Sequence, residues 1–219
     1  MRWSGESSRY AGLFFCILLF AACAAPSSSS LTSSGNVQSG QARQDQVMHG
    51  RFLVMTHACG DCHGGGSNPA AFGYLDGVRI PEIQEFKVGP FTTRPKNLTP
   101  DNTTGTGRFT ERQIFNALRY GLRPEETADV EITSMVPGQG NFPLHPHYLA
   151  VPMPWPSWRH MPDQDLWAIA AYLKSLKPSN HKVQDSDGPP DFWASEYTVE
   201  KIGPYPAVPY PTANEKGQH

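Results

Sequence analysis

The six residues from Cys59 to Gly64 read C-G-D-C-H-G, and they constrain this chain more than any other stretch. Two thiols three positions apart, followed at once by an imidazole, form the C-x-x-C-H pattern of covalent c-type haem attachment. Cys59 and Cys62 lie about one helical turn apart, so both thiols can add to the two vinyl groups along one porphyrin edge. His63 then sits beneath the iron as the proximal ligand. Three other readings compete. A structural zinc site wants a second ligand pair, and the sequence holds no second C-x-x-C and no H-x-x-x-H. A thioredoxin-like redox pair opens a helix behind a strand, whereas here Gly64-Gly65-Gly66 follows and favours a loop. A chance match is the third, because the pattern fixes only three residues, so the flanks carry the rest of the case.

The length of 219 residues suits a single core with substantial tails. A formal net charge of −2 gives no nucleic-acid footprint. Hydrophobic content is 38%, while 20 glycines and 21 prolines make about a fifth of the chain turn-forming. Such a mix predicts a loop-rich fold organised around something other than a large apolar side-chain core, and a buried haem macrocycle would supply that apolar area. Of the four cysteines, two belong to the motif and two, Cys16 and Cys23, lie in an N-terminal apolar run. None is left for a structural disulfide, although the chain reads as exported.

The export reading rests on residues 11–25, AGLFFCILLFAACAA, which follow Arg2 and Arg9 and match a signal h-region better than a transmembrane helix. Phe20-Ala21-Ala22-Cys23 resembles a bacterial lipobox with Phe20 in place of the usual aliphatic residue, which makes Cys23 a candidate lipidated residue. Cleavage near Ala25 by an ordinary signal peptidase is the alternative. Residues 1–22 are thus expected to be a signal peptide. Residues 23–44, rich in serine, are expected to be a flexible tether that stands the domain off a membrane.

The domain proper is expected over residues 45–178. Val47, Phe52, Val54 and Met55 predict a short helix from Gln46 to Ala58 that delivers Cys59. His57 reads as a partly exposed helix residue. Residues 64–96 read as loop, with a short extended pair around Phe72–Ile80. Thr110-Glu111-Arg112-Gln113 is a capping-box pattern opening a helix from Glu111 to Tyr120, with Ile114, Phe115 and Leu118 inward and Gly121 ending it. The segment Val151–Trp158 alternates proline with large side chains and reads as a stiff apolar loop, neither helix nor central strand. A last helix is expected over Asp163–Leu176, stopped by Pro178. Residues 179–219 form a Pro/Tyr-rich C-terminal extension, either a strap held by Phe192, Trp193 and Tyr197 or a free tail.

Candidates for a second axial ligand are Met135, Met153, Met161, His145 and His147. Met161 is well placed to staple the last helix, and Met135 lacks stiffening neighbours. His145 and His147 are the serious rivals of Met153, which the proline-rich loop would hold at a fixed point.

A short helix into C-x-x-C-H, Asn97-Leu98-Thr99-Pro100-Asp101, the helix Phe115–Gly121, Met153-Pro154-Trp155 and a last helix ending Ala171–Leu176 together resemble the class I cytochrome c fold. More narrowly, they resemble the cytochrome domains that accompany bacterial periplasmic alcohol, aldehyde and gluconate dehydrogenases. The match spans roughly residues 46–178 and is specific in its combination. It implies a mainly α fold of a few short helices and long loops around one covalent haem c with its iron. It also implies Cys59 and Cys62 as thioether anchors, His63 as proximal ligand and Met153 as distal ligand. Such a domain carries single electrons from a dehydrogenase to a cytochrome or oxidase acceptor and has no catalytic residues of its own. Two features depart from the family pattern: those subunits carry several such domains where this chain has one motif, and the segment 122–152 is longer here. The competing functional readings are a haem enzyme or gas sensor with an open or bis-histidine iron, and a zinc-stabilised binding module.

Overall fold

The computed structural model describes residues 31–80, 85–187 and 191–203. Cys16, Cys23 and the expected signal peptide lie outside the described residues, as does the end of the C-terminal extension. Among the described residues the fold is mainly helical, with six helices, three 3-10 turns and one two-stranded hairpin. No helix among them is long and apolar enough to cross a membrane.

Helix α1 spans Leu31–Thr56 and α2 spans Cys59–His63. The first is much longer than the helix expected from Gln46. Its N-terminal half carries no apolar stripe, so hydrophobic periodicity could not reveal it. Residues 31–44, read as part of a tether, lie within this helix, where Arg43 makes an ion pair with Glu111.

Helix α3 (Glu111–Tyr120) has the expected capping box. Thr110 Oγ1 accepts from the Gln113 backbone N–H at 3.1 Å, and the Gln113 side chain accepts from the Thr110 N–H at 3.1 Å. Gly121 ends it in the left-handed region at φ 70°, with the Trp155 indole packed against its Cα. A side chain there would be strained and would also collide with that ring. Ile114, Phe115 and Leu118 are buried, and Phe115 stacks on Trp167 with ring centroids 4.6 Å apart.

A four-residue helix, α4 (Trp155–Trp158), arises where the sequence reading had only a stiff loop. Pro156 is tolerated because it sits in the first turn, where a backbone N–H has no intrahelical partner. Helix α5 (Asp163–Ser175) then crosses α1. At Gly50 the two backbones touch: a Cβ there would overlap the Ala168 carbonyl and crowd Tyr172. Around this crossing Leu53 and Val54 join Leu166, Ile169, Ala170 and Leu173 in one buried cluster.

The extended pair expected near Phe72–Ile80 lies elsewhere. Gly73, Leu75 and Gly77 all have positive φ, which coils that segment into turns. The strands are β1 (Phe86–Val88) and β2 (Phe91–Thr93), antiparallel, with Phe86 opposite Thr93. Beyond α5 the chain runs without helix or strand to Asp187. It then forms a 3-10 turn over Asp191–Glu196 and a last helix, α6 (Val199–Ile202). Trp193 is buried and Tyr197 is partly buried, so this part of the extension packs on the core as a strap.

Candidate functional site

The turn between α1 and α2 sets the geometry of the C-x-x-C-H segment. Ala58 adopts φ 53° and ψ 33°, a left-handed conformation that costs an L-residue about 1–2 kcal/mol and reverses the chain at the point where α2 begins. One turn of helix then separates the two thiols. Cys59 faces the core and is buried, while Cys62 is exposed, and neither is in a disulfide. Burial pushes the Cys59 thiol up to about 12, and burial and the Asp61 carboxylate also raise Cys62, so neither is a thiolate at neutral pH.

His63 ends α2 and is partly buried. Its Nδ1 lies 2.7 Å from the carbonyl oxygen of Lys96. A carbonyl can only accept, so Nδ1 carries the proton and Nε2 is left with its lone pair. Burial holds the imidazole below its ordinary titration range, opposed by the Lys96 hydrogen bond. The His63 carbonyl in turn accepts from Gly77 N–H at 2.8 Å, and Leu75 N–H donates to the Gly64 carbonyl at 2.9 Å. The loop after the motif therefore folds back and clamps it. The Lys96 acceptor was not found from sequence. A backbone carbonyl leaves no residue-type signal, and only the extended bias of Arg94-Pro95 hinted at the path of that segment.

Met153 is partly buried and packs against the same hydrophobic cluster that contains Cys59. Its N–H donates to the Ala150 carbonyl, and its own carbonyl accepts from Trp155 N–H, each at 2.9 Å. Trp155 is fully buried, stacked on Tyr148 at 5.7 Å with an interplanar angle of 2° and edge-on to Tyr197 at 4.8 Å. The loop is thus pinned two residues beyond the thioether. Met135 and Met161 also pack partly buried against the cluster. His145 is exposed, and His147 Nδ1 lies 3.1 Å from the Glu126 carboxylate. His57 is partly buried, directs Nδ1 to the Leu53 carbonyl at 2.9 Å and sets its ring edge-on to Trp158. Among the described residues no three His, Cys, Asp or Glu side chains converge into a metal-binding cluster.

A family model for cytochrome c matches residues 47–177. The chain belongs to the cytochrome c family. It is 32% identical over 147 residues to the gluconate 2-dehydrogenase cytochrome c subunit of Pantoea cypripedii, covering 62% of this chain and 27% of that protein. It is 27% identical over 164 residues to the cytochrome c subunit of a quinone alcohol dehydrogenase from Gluconacetobacter polyoxogenes, covering 74% of this chain and 28% of that protein. The chain thus spans about a quarter of the length of the curated relatives it matches. The mainly helical fold is that of a cytochrome c domain, and the family carries a covalently bound c-type haem with iron. The donor set fits that group: two thiols one turn apart on a helix, and an imidazole whose tautomer leaves Nε2 basic.

Proposed function

We propose that this cytochrome c is a one-electron carrier whose single haem is held by Cys59 and Cys62 as thioethers, with His63 and Met153 as axial ligands. The observation that carries the reading is the 2.7 Å bond from His63 Nδ1 to the Lys96 carbonyl, which orients the ring and supports Nε2 as the nitrogen that would bind iron. The haem supplies the one-electron ferric/ferrous step. The protein's part is attachment, orientation and a dry surround. Met153 is favoured as second ligand because its loop is pinned by buried Trp155, whereas His145 is exposed and His147 is directed to Glu126. Thioether ligation raises the reduction potential relative to nitrogen-only ligation, which suits acceptance of electrons from a dehydrogenase.

The relatives that serve as subunits of gluconate and quinone alcohol dehydrogenases support a periplasmic dehydrogenase as donor and a further cytochrome or oxidase as acceptor. Exposed Cys62 points to the contact edge, and small transient interfaces suffice for electron transfer. The N-terminal apolar run supports export, and Cys23 supports lipid anchoring at the periplasmic face of a bacterial membrane. Carbon monoxide separates this reading from a haem enzyme or gas sensor. The reduced protein should leave its visible spectrum unchanged under carbon monoxide at neutral pH; rapid, tight uptake would show an open coordination position and contradict the carrier.

A further inference from the structure

We infer that the segment Ser179–Ser186 is a positioning strap for the proximal histidine, shielding the His63–Lys96 hydrogen bond from water and thereby lowering the reduction potential. The inference rests on the assignment of His63 as an iron ligand.

The Lys96 carbonyl belongs to a stretch with no helix or strand of its own, Arg94–Thr99, which must be held from outside if it is to present its acceptor in one place. On one side the turn after the motif does so, with Val78 N–H donating to the Pro95 carbonyl at 3.1 Å and Leu98 N–H to the Leu75 carbonyl at 2.8 Å. On the other side the strap supplies several bonds, beside those that Arg94 makes to Glu85, Asn97 to Thr104, and Thr106 to the carbonyls of Leu98 and Thr99. Arg94, itself buried, donates from Nη1 to the Asp185 carbonyl at 2.9 Å. Lys96 Nζ reaches the Gln184 carbonyl at 3.3 Å, and Asn97 Nδ2 donates to the carbonyls of Ser179 at 2.8 Å and His181 at 3.2 Å. Arg94, Lys96 and Asn97, which flank and include the residue of that carbonyl, are all tied to the strap.

The strap also packs on the turn that holds His63. Val183 is buried and its side chain presses on Gly77, the residue whose N–H holds the His63 carbonyl; a Cβ at Gly77 would overlap it. Covering the turn on this side would limit the water that competes for Nδ1 and lower the local dielectric, and an N–H···O=C bond is stronger under those conditions. A more strongly bonded Nδ1–H makes the imidazole a stronger donor through Nε2, which favours the ferric state.

The test uses the full-length holoprotein. In the ferrous wild type, the His63 Nδ1 proton should resonate with a large haem ring-current shift and exchange with solvent as slowly as the buried Leu75 amide. In Val183→Ser the exchange should be at least about tenfold faster and the midpoint potential should move upward, with the far-red absorption of the ferric form retained. The strap's role is overturned if the proton is ring-current shifted but exchanges as fast as exposed loop amides in the wild type. That measurement does not depend on the variant folding. An unchanged exchange rate and potential in folded Val183→Ser also overturns it. Absence of any ring-current shift at His63 instead overturns the ligand assignment, and the strap's role with it.

Discussion

At the scale of single residues, His63 concentrates the chemistry. Its imidazole is partly buried, with Nδ1 bonded to the Lys96 carbonyl and its titration held below the ordinary range by desolvation. An unfolded chain has no such restraint, so its His63 takes up a proton near about pH 6.5. Between that pH and the lower folded value the unfolded state binds more protons, and stability rises with pH through the window. Folding stability should therefore fall as pH is lowered from 7.5 to 5, read as a decreasing denaturant midpoint; a midpoint that rises on acidification contradicts the lowered titration of the imidazole. Cys59, Cys62 and His63 stood out in the sequence because C-x-x-C-H is the spacing of covalent haem attachment. The Lys96 carbonyl was not, since a backbone acceptor can come from any residue type. Met153 stood out only because prolines flank it, and what the folded chain adds is the buried Trp155 that pins its loop.

At the scale of elements, the crossing of α1 and α5 positions everything else, because α1 delivers α2 and α5 closes the core behind it. The contact depends on Gly50, where backbone meets backbone at Ala168. Replacing glycine by alanine inside a helix ordinarily gains about 1 kcal/mol. Here the added methyl has no rotamer through which to escape a carbonyl, so the helices must separate. Gly50→Ala should cost about 1–3 kcal/mol net in denaturant unfolding of the holoprotein, and an increase in stability would contradict the crossing. Helix α3 was readable to the residue because its capping box, apolar stripe and terminal glycine agree. The first half of α1 was not, since it is polar all round. Two further differences have local causes. The hairpin forms at Phe86–Thr93 because positive φ at Gly73, Leu75 and Gly77 coils the earlier segment, and a helix survives Pro156 because it is only one turn long.

At the scale of the whole molecule, long loops and short helices wrap a modest side-chain core, as the abundance of glycine and proline implied. The family, the haem and the mainly α fold follow from the motif and its downstream partners. For residues 179–219 a strap was only one of two open readings, and its contacts over 179–186 were not legible, because those residues have no periodicity and bind largely through their own carbonyls. The strap joins the C-terminal extension to the segment that holds His63, so in the proposed ligation one chain supplies both ligand loops and the cover over one of them. Whether these parts act together on a six-coordinate iron is read in one spectrum, the far-red charge-transfer band of the ferric holoprotein. The wild type should show the band and Met153→Ala should lose it while retaining covalent haem; a band that persists unchanged in Met153→Ala would contradict His63/Met153 ligation.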